Sequence, residues 1–142
     1  MEHLRDVMTS DVEFCTPDDN VYEVAVKMQN LEVGAIPICK EQQLLGMITD
    51  RDIVVRGVAE KKPNSTQVTE IMSENLITAS PDMSVDEAAK MMAQKQIRRL
   101  PVVENNKLVG IVALGDLAVH QGTSDEAGFA LSEISERPEV HH

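Results

Sequence analysis

A short segment in the first half of the chain places a hydroxyl, a guanidinium and two carboxylates within four residues. Residues 46–52 read Gly-Met-Ile-Thr-Asp-Arg-Asp, with Thr49 and Asp52 three positions apart at the expected start of a helix. Side chains at this spacing face the same side, where the carboxylate can accept hydrogen bonds from a vicinal diol. The helix N-terminus attracts anions, and Arg51 adds a cation. Thr49 and Asp52 also suit helix capping, with Arg51 solvated, so both interpretations stay open.

The same segment returns 64 residues later in altered form. Residues 110–116 keep the carboxylate as Asp116, but Ala113 replaces the hydroxyl and Gly115 replaces the arginine. The repeat has no gap and extends over most of the chain. Its first-copy anchors, each identical 64 residues later, are Met8, Pro17, Asp18, Val21, Glu23, Ala25, Met28, Pro37, Leu44, Gly46 and Asp52. A two-copy repeat is typical of one pseudo-symmetric module with two equivalent clefts.

Hydrophobic periodicity predicts the element order β-α-β-β-α in each copy, and therefore an α/β fold class of tandem repeats. Asn20 with Glu23, and Ser84 with Glu87, have the spacing of capping boxes that open helices. In the first copy we expect strands at 12–15, 35–40 and 44–49, and helices over 21–31 and from Asp50 to Arg56, closed by Gly57. In the second copy we expect strands at 76–79, 100–104 and 108–113, and helices over 85–95 and from Gly115 to about His120.

The repeat also sets the expected domain organisation. Repeat 1 covers 7–57 and repeat 2 covers 71–120, with a linker over 58–70 that is polar and contains a proline. Residues 121–142 form a C-terminal tail outside the repeat, with one candidate short helix over 125–132.

Composition excludes several classes of protein. The net charge of −11 argues against nucleic-acid binding, since neutralised phosphates supply most of that affinity. No apolar run is long enough to span a bilayer and the N-terminus is no signal peptide, so we expect no membrane association and a cytoplasmic location. Cys15 and Cys39 are expected to be buried free thiols rather than a disulfide. The histidines lack metal-ligand spacing, and no acid–base pair indicates an enzyme.

The order and duplication of these motifs resemble the paired CBS domains of a Bateman module. The resemblance rests on Gly-Ala-Ile-Pro-Ile at 34–38, Arg-Arg-Leu-Pro-Val at 98–102 and the two glycine-to-aspartate segments, and covers 7–120. It implies two symmetry-related clefts between the copies that bind adenosine nucleotides or related adenosyl compounds. In such modules the aspartate holds the ribose, the hydroxyl lies near the phosphate, and adenine rests on the other copy.

Carried over residue by residue, the resemblance implies two unlike clefts. Cleft one would use Thr49, Arg51 and Asp52, facing Asn75, Leu76 and Ile77 and flanked by Gly34 and Ala35. Cleft two would use Asp116, with Arg98 and Arg99 towards phosphate, facing Asp11, Val12 and Glu13 and flanked by Val33 and Gly34. The two arginines also suit surface ion pairs, so their role stays open.

These expectations lead to one main hypothesis for function and two others. The main one is a stand-alone regulatory or sensor module that binds AMP, ADP, ATP or a similar adenosine-containing ligand and requires no cofactor. The resemblance implies a homodimer formed through helices, and the module would act on a regulated protein that the sequence does not identify. The alternatives are a ligand-free dimeric scaffold acting through its C-terminal tail, and an enzyme acting on a nucleotide.

Overall fold

The computed structural model describes residues 2–118, which form two compact units. The first-copy unit comprises residues 13–76, and the second-copy unit comprises residues 2–12 together with 77–118. The predicted tail over 121–142, its candidate helix and the end of the last helix near His120 lie outside the described residues. Among residues 2–118, no helix has the length and apolar character needed to cross a bilayer.

The observed elements follow the predicted order closely. They are α1 (Leu4–Val7), α2 (Val21–Leu31), β1 (Ala35–Lys40), β2 (Gln43–Thr49), α3 (Asp50–Asp52), a π-helix (Ile53–Val58), a 3-10 helix (Val68–Glu70), α4 (Val85–Lys95), β3 (Arg99–Glu104), β4 (Lys107–Ala113) and α5 (Leu114–Ala118). The α/β fold class is therefore confirmed. Helix α1 and the 3-10 helix were not expected from the sequence.

Both long helices begin as their caps predict. Asn20 Oδ1 accepts from the Glu23 N–H at 2.8 Å, and Glu23 Oε1 accepts from the Asn20 N–H at 3.0 Å, which completes a capping box. At α4 the Ser84 hydroxyl oxygen accepts from the Glu87 N–H at 3.1 Å. These bonds satisfy N–H groups that the first turn of a helix leaves without a partner.

The helix predicted after β2 differs from the expectation. It begins as one α-helical turn and widens into the π-helix, which continues past Gly57 to Val58. The Ala59 N–H donates to the Val54 carbonyl at 2.8 Å, a bond that spans five residues rather than four. Gly57 is buried inside this helix and does not end it.

The first predicted strand of each copy is also shorter than expected. Cys15 forms a single parallel bridge with Ile38, and Ala79 forms the equivalent bridge with Val102. The chain turns away immediately after Cys15, because the Thr16 N–H donates to the Asp19 carboxylate at 2.8 Å. A local side-chain bond of this kind competes with strand pairing.

Two antiparallel hairpins position the candidate site residues. The β1–β2 turn at Glu41-Gln42 and the β3–β4 turn at Asn105-Asn106 have positive φ at all four residues, as two-residue type I′ hairpins require. The resulting registers pair Ala35 with Thr49 and Arg99 with Ala113. The start of one strand therefore lies beside the end of its partner in both units.

Each unit is completed by residues at or just before the start of the other copy. Val68, at the end of the linker, and Ile71, at the start of copy two, are fully buried in the core of the first-copy unit. Leu4, which precedes copy one, is fully buried in the core of the second-copy unit. Each core thus draws aliphatic side chains from two separated stretches of the chain, and burial of this apolar area stabilises the join.

Two strand glycines allow these segments to approach closely. A Cβ atom at Gly46 would lie 2.7 Å from the Ser73 carbonyl oxygen and 2.8 Å from Met72 Sδ. At Gly110 it would lie 2.5 Å from Met8 Sδ and 3.0 Å from the Thr9 carbonyl oxygen. The two glycines, identical in the repeat, are therefore explained by packing.

Candidate functional site

Thr49 and Asp52 form a reciprocal capping box at the end of β2. Thr49 Oγ1 accepts from the Asp52 N–H and Asp52 Oδ2 accepts from the Thr49 N–H, both at 3.0 Å. Both residues are half-buried. Capping and binding are compatible here, because a carboxylate has two oxygens and this bond occupies one of them. The box orients the hydroxyl and the carboxylate on one side of the helix start.

Gly34 and Ala35 lie directly beside this box. The Asp50 N–H donates to the Gly34 carbonyl at 2.9 Å, and Ala35 is the register partner of Thr49. A Cβ atom at Gly34 would lie only 3.1 Å from Asp50 Oδ2, so the Asp50 carboxylate stands over the glycine. The other oxygen of that carboxylate accepts from the N–H of Arg51, an exposed residue, at 2.8 Å.

The segment that carries Asn75 and Leu76 belongs to the same unit. Just before them, Ser73 and Met47 exchange two backbone hydrogen bonds of 2.8 and 2.9 Å. The Leu76 N–H donates to the Glu74 carbonyl at 3.1 Å. Asn75 is exposed and Leu76 is half-buried. With Gly34, Ala35 and residues 49–52, these two residues make up what we term the first-copy site.

Arg56 is a site-supporting residue that the sequence did not single out. Its Nη1 donates to the carbonyls of Ile71 and Met72, at 3.2 and 3.1 Å, and so joins the π-helix to the segment before Ser73. Its partners lie 15 and 16 positions further along the chain, so no local pattern in the sequence pointed to this role.

The second-copy unit repeats the arrangement with different side chains. The Leu114 N–H donates to the Arg98 carbonyl at 2.8 Å, and Arg99 is the register partner of Ala113. Arg98, Arg99 and Asp116 are all exposed, and within residues 2–118 neither guanidinium forms an ion pair. The second-copy site comprises these three residues with Leu114 and Gly115 and, from the start of copy one, Asp11 (exposed) and Val12 (half-buried).

The remaining predicted site residues fall in the opposite unit from the rest of their cleft. Ile77, assigned to cleft one, belongs to the second-copy unit. Glu13, Val33 and Gly34, assigned to cleft two, belong to the first-copy unit. Glu13 is exposed, and the other three are half-buried. Their part in ligand binding stays a prediction.

The cysteines do not contribute a reactive group. Cys15 and Cys39 are buried free thiols, as expected from the sequence. Burial raises the pKa of each thiol to about 11, and Asp19 contributes further to the shift at Cys15. A nucleophilic or metal-binding cysteine needs a lowered pKa instead.

A model of the CBS domain family matches residues 4–57 and 68–121. The chain belongs to the CBS domain family. It is 51% identical over 138 residues to the uncharacterized protein YlbB of Bacillus subtilis, covering 96% of this chain and 93% of that protein.

Solved CBS-domain structures share the fold. The structure of Hypoxic Response Protein I is 34% identical in sequence, with a TM-score of 0.76, and the match covers 83% of this chain and 98% of that one. A relative of the same name comes from Mycobacterium tuberculosis. The CBS domain pair of protein MJ0100, in complex with 5′-methylthioadenosine and S-adenosyl-L-methionine, is 29% identical with a TM-score of 0.73, covering 83% and 94%.

The structure of Hypoxic Response Protein I contains two coordinated zinc ions. In the part of this chain that the structure describes, no group of three or more His, Cys, Asp or Glu side chains is placed to hold a metal ion. The histidines at 120, 141 and 142 lie outside that part.

Proposed function

We propose that this CBS-domain protein is a regulatory module, not an enzyme, that binds an adenosine-containing ligand in each unit. The observation that carries the proposal is the Thr49–Asp52 capping box. It fixes a hydroxyl and a carboxylate on one side of a helix start, beside the small residues Gly34 and Ala35. The MJ0100 pair, which binds two adenosyl compounds, supports this ligand class.

Each group in the first-copy site has a role that its chemistry supports. The second oxygen of Asp52 accepts from a ribose hydroxyl, and Thr49 contacts the 5′ substituent of the ligand. The small side chain of Ala35 leaves room for a planar base, with Leu76 as an apolar contact. Bound ligand then acts on a regulated protein by favouring one conformation, to the extent of its differential affinity.

An exposed apolar surface supports a homodimer. On the π-helix, Val54, Val55 and Val58 are 58%, 47% and 69% exposed, and burying such side chains is favourable. We propose that a second copy covers them and that the dimer is cytoplasmic. A monomeric mass by light scattering at micromolar concentration would rule out this assembly. The scaffold alternative rests on the C-terminal tail, which lies outside the described residues.

Thermal unfolding with added ligands tests the binding function. Adenosine, AMP, ATP, 5′-methylthioadenosine and S-adenosylmethionine are each added to the full chain. A ligand at 100 times its dissociation constant should stabilise the protein by about 2.7 kcal/mol. Asp52→Asn keeps an oxygen for the cap but should weaken ribose binding in the first-copy site. Asp116→Ala should likewise weaken ribose binding in the second-copy unit. If none of the five compounds shifts the midpoint at millimolar concentration, the function is not adenosine sensing.

A further inference from the structure

We infer that the two sites sort adenosine ligands by charge, an inference that rests on the proposed function. The second-copy site takes a phosphorylated ligand such as a nucleoside mono- or triphosphate. The first-copy site takes an adenosine compound without phosphate, uncharged or cationic. The residues that decide between these classes are Asp50 in one unit, and Arg98 and Arg99 in the other.

The backbone frames of the two sites are equivalent, so their side chains can be compared position by position. The bond from the Asp50 N–H to the Gly34 carbonyl is 2.9 Å, and its counterpart from the Leu114 N–H to the Arg98 carbonyl is 2.8 Å. The strand registers place Ala35 and Arg99 equivalently as well. Differences in charge between the sites therefore come from residue identity alone.

In the first-copy site a carboxylate stands where the other unit carries an arginine side chain. The missing Cβ of Gly34 would lie 3.1 Å from Asp50 Oδ2, and Gly34 is the counterpart of Arg98. Asp50, Arg51 and Asp52 sum to a formal charge of −1. A phosphate bound here would meet a like charge, which disfavours it, whereas an uncharged or cationic 5′ group would not.

The second-copy site is more positive. Its charged residues are Arg98, Arg99, Asp116 and Asp11, which sum to a formal charge of 0 against −1 in the first-copy site, and it carries two guanidinium groups where the first-copy site carries one. Leu114, the counterpart of Asp50, is buried and uncharged, so no carboxylate competes for the arginines at that position. A Cβ atom at Gly115 would have no neighbour within 4 Å, so this side of the site is open. Guanidinium groups bind phosphate by charge-assisted hydrogen bonds.

Exchange of residues between the copies tests the inference by calorimetric titration of the full chain with AMP and adenosine. Arg98→Gly with Arg99→Ala introduces the first-copy residues. We expect this double variant to lower the AMP affinity of the second-copy site about tenfold or more, and to change its adenosine affinity less than about threefold. Asp50→Asn removes the charge but keeps an acceptor for the Arg51 N–H. We expect Asp50→Asn to raise the AMP affinity of the first-copy site by about tenfold.

Lys107→Ala is the matched control, because it removes one exposed positive charge of the same unit at the β3–β4 turn. It should leave both affinities unchanged. Equal losses of AMP and adenosine affinity in the double arginine variant would overturn the inference, as would a wild-type protein whose two sites prefer the same ligand. Both results leave the proposed adenosine-binding function of the wild-type protein standing. A wild-type protein that binds none of the adenosine compounds overturns the proposed function itself.

Discussion

The close packing at Gly46 predicts that adding a single methyl group there destabilises the protein. Gly46→Ala would place a Cβ atom 2.7 Å from the Ser73 carbonyl oxygen and 2.8 Å from Met72 Sδ. The strand backbone at Gly46 is outside the positive-φ region, so the alanine itself adopts it without strain. The effect therefore depends on how far the 72–73 segment must move.

Two opposing contributions decide whether Gly46→Ala raises or lowers the free energy of unfolding. Reduced freedom of the unfolded chain favours alanine by about 0.4–1 kcal/mol. Overpacking in a closely packed region costs about 1–3 kcal/mol, and displacing Ser73 weakens the two bonds of 2.8 and 2.9 Å to Met47, each with a net contribution of about 1 kcal/mol. Steric repulsion prevails, and we expect Gly46→Ala to lower the free energy of unfolding by about 2 kcal/mol.

Urea unfolding, followed by circular dichroism, measures this loss. With a slope of about 2 kcal/mol per molar, the midpoint should fall by about 1 M. Gly115→Ala is the matched control, because its Cβ has nothing within 4 Å and alanine is the better helix former. It should unfold at or slightly above the wild-type midpoint. A wild-type midpoint for Gly46→Ala would refute the steric reasoning.

Two further predictions concern polar and titratable groups. Arg56→Ala removes the donor to the Ile71 and Met72 carbonyls and should lower the free energy of unfolding, measured in urea, by about 1–3 kcal/mol. Arg56→Lys keeps a charged donor and should lose less stability. Equal stability of the wild type and both variants would contradict this role of Arg56. The pKa of the Cys15 and Cys39 thiols lies at about 11, above their ordinary 9.0. Stability is therefore fully present below pH 9 and falls by roughly 1–3 kcal/mol per thiol as pH rises through 11. Urea midpoints at pH 8 and pH 11 measure this loss, which Cys39→Ala should reduce by about half; an unchanged midpoint would refute it.

The local elements could be predicted from the sequence because each is coded within a few residues. The expected strand over 35–40 matches β1, and the helices over 21–31 and 85–95 match α2 and α4. Their apolar periodicity and caps agree with the final packing. The π-helix was missed because Gly57 has the sequence signature of a helix end, whereas here it lies inside a widened turn.

The sequence predicted which side chains form the candidate site, but not which distant residues hold them in place. The spacing of Thr49 and Asp52 indicated both capping and ligand binding, and the capping box is present. The bond from Arg56 to the segment before Ser73 joins residues 15 and 16 positions apart, a separation that local patterns do not encode. The placement of Asp50 over Gly34 likewise depends on a hairpin register that composition alone does not reveal.

The exchange of segments between the two units has a consequence for limited proteolysis. Residues 59–65 are exposed and join the π-helix to the buried Thr66 and Val68. A single cut there would yield fragments that each contain pieces of both units: Leu4 would remain with the first fragment, and Val68 and Ile71 with the second. Because neither fragment alone can complete a core, the nicked chain should remain associated and unfold as a bimolecular complex, with a midpoint that rises with protein concentration.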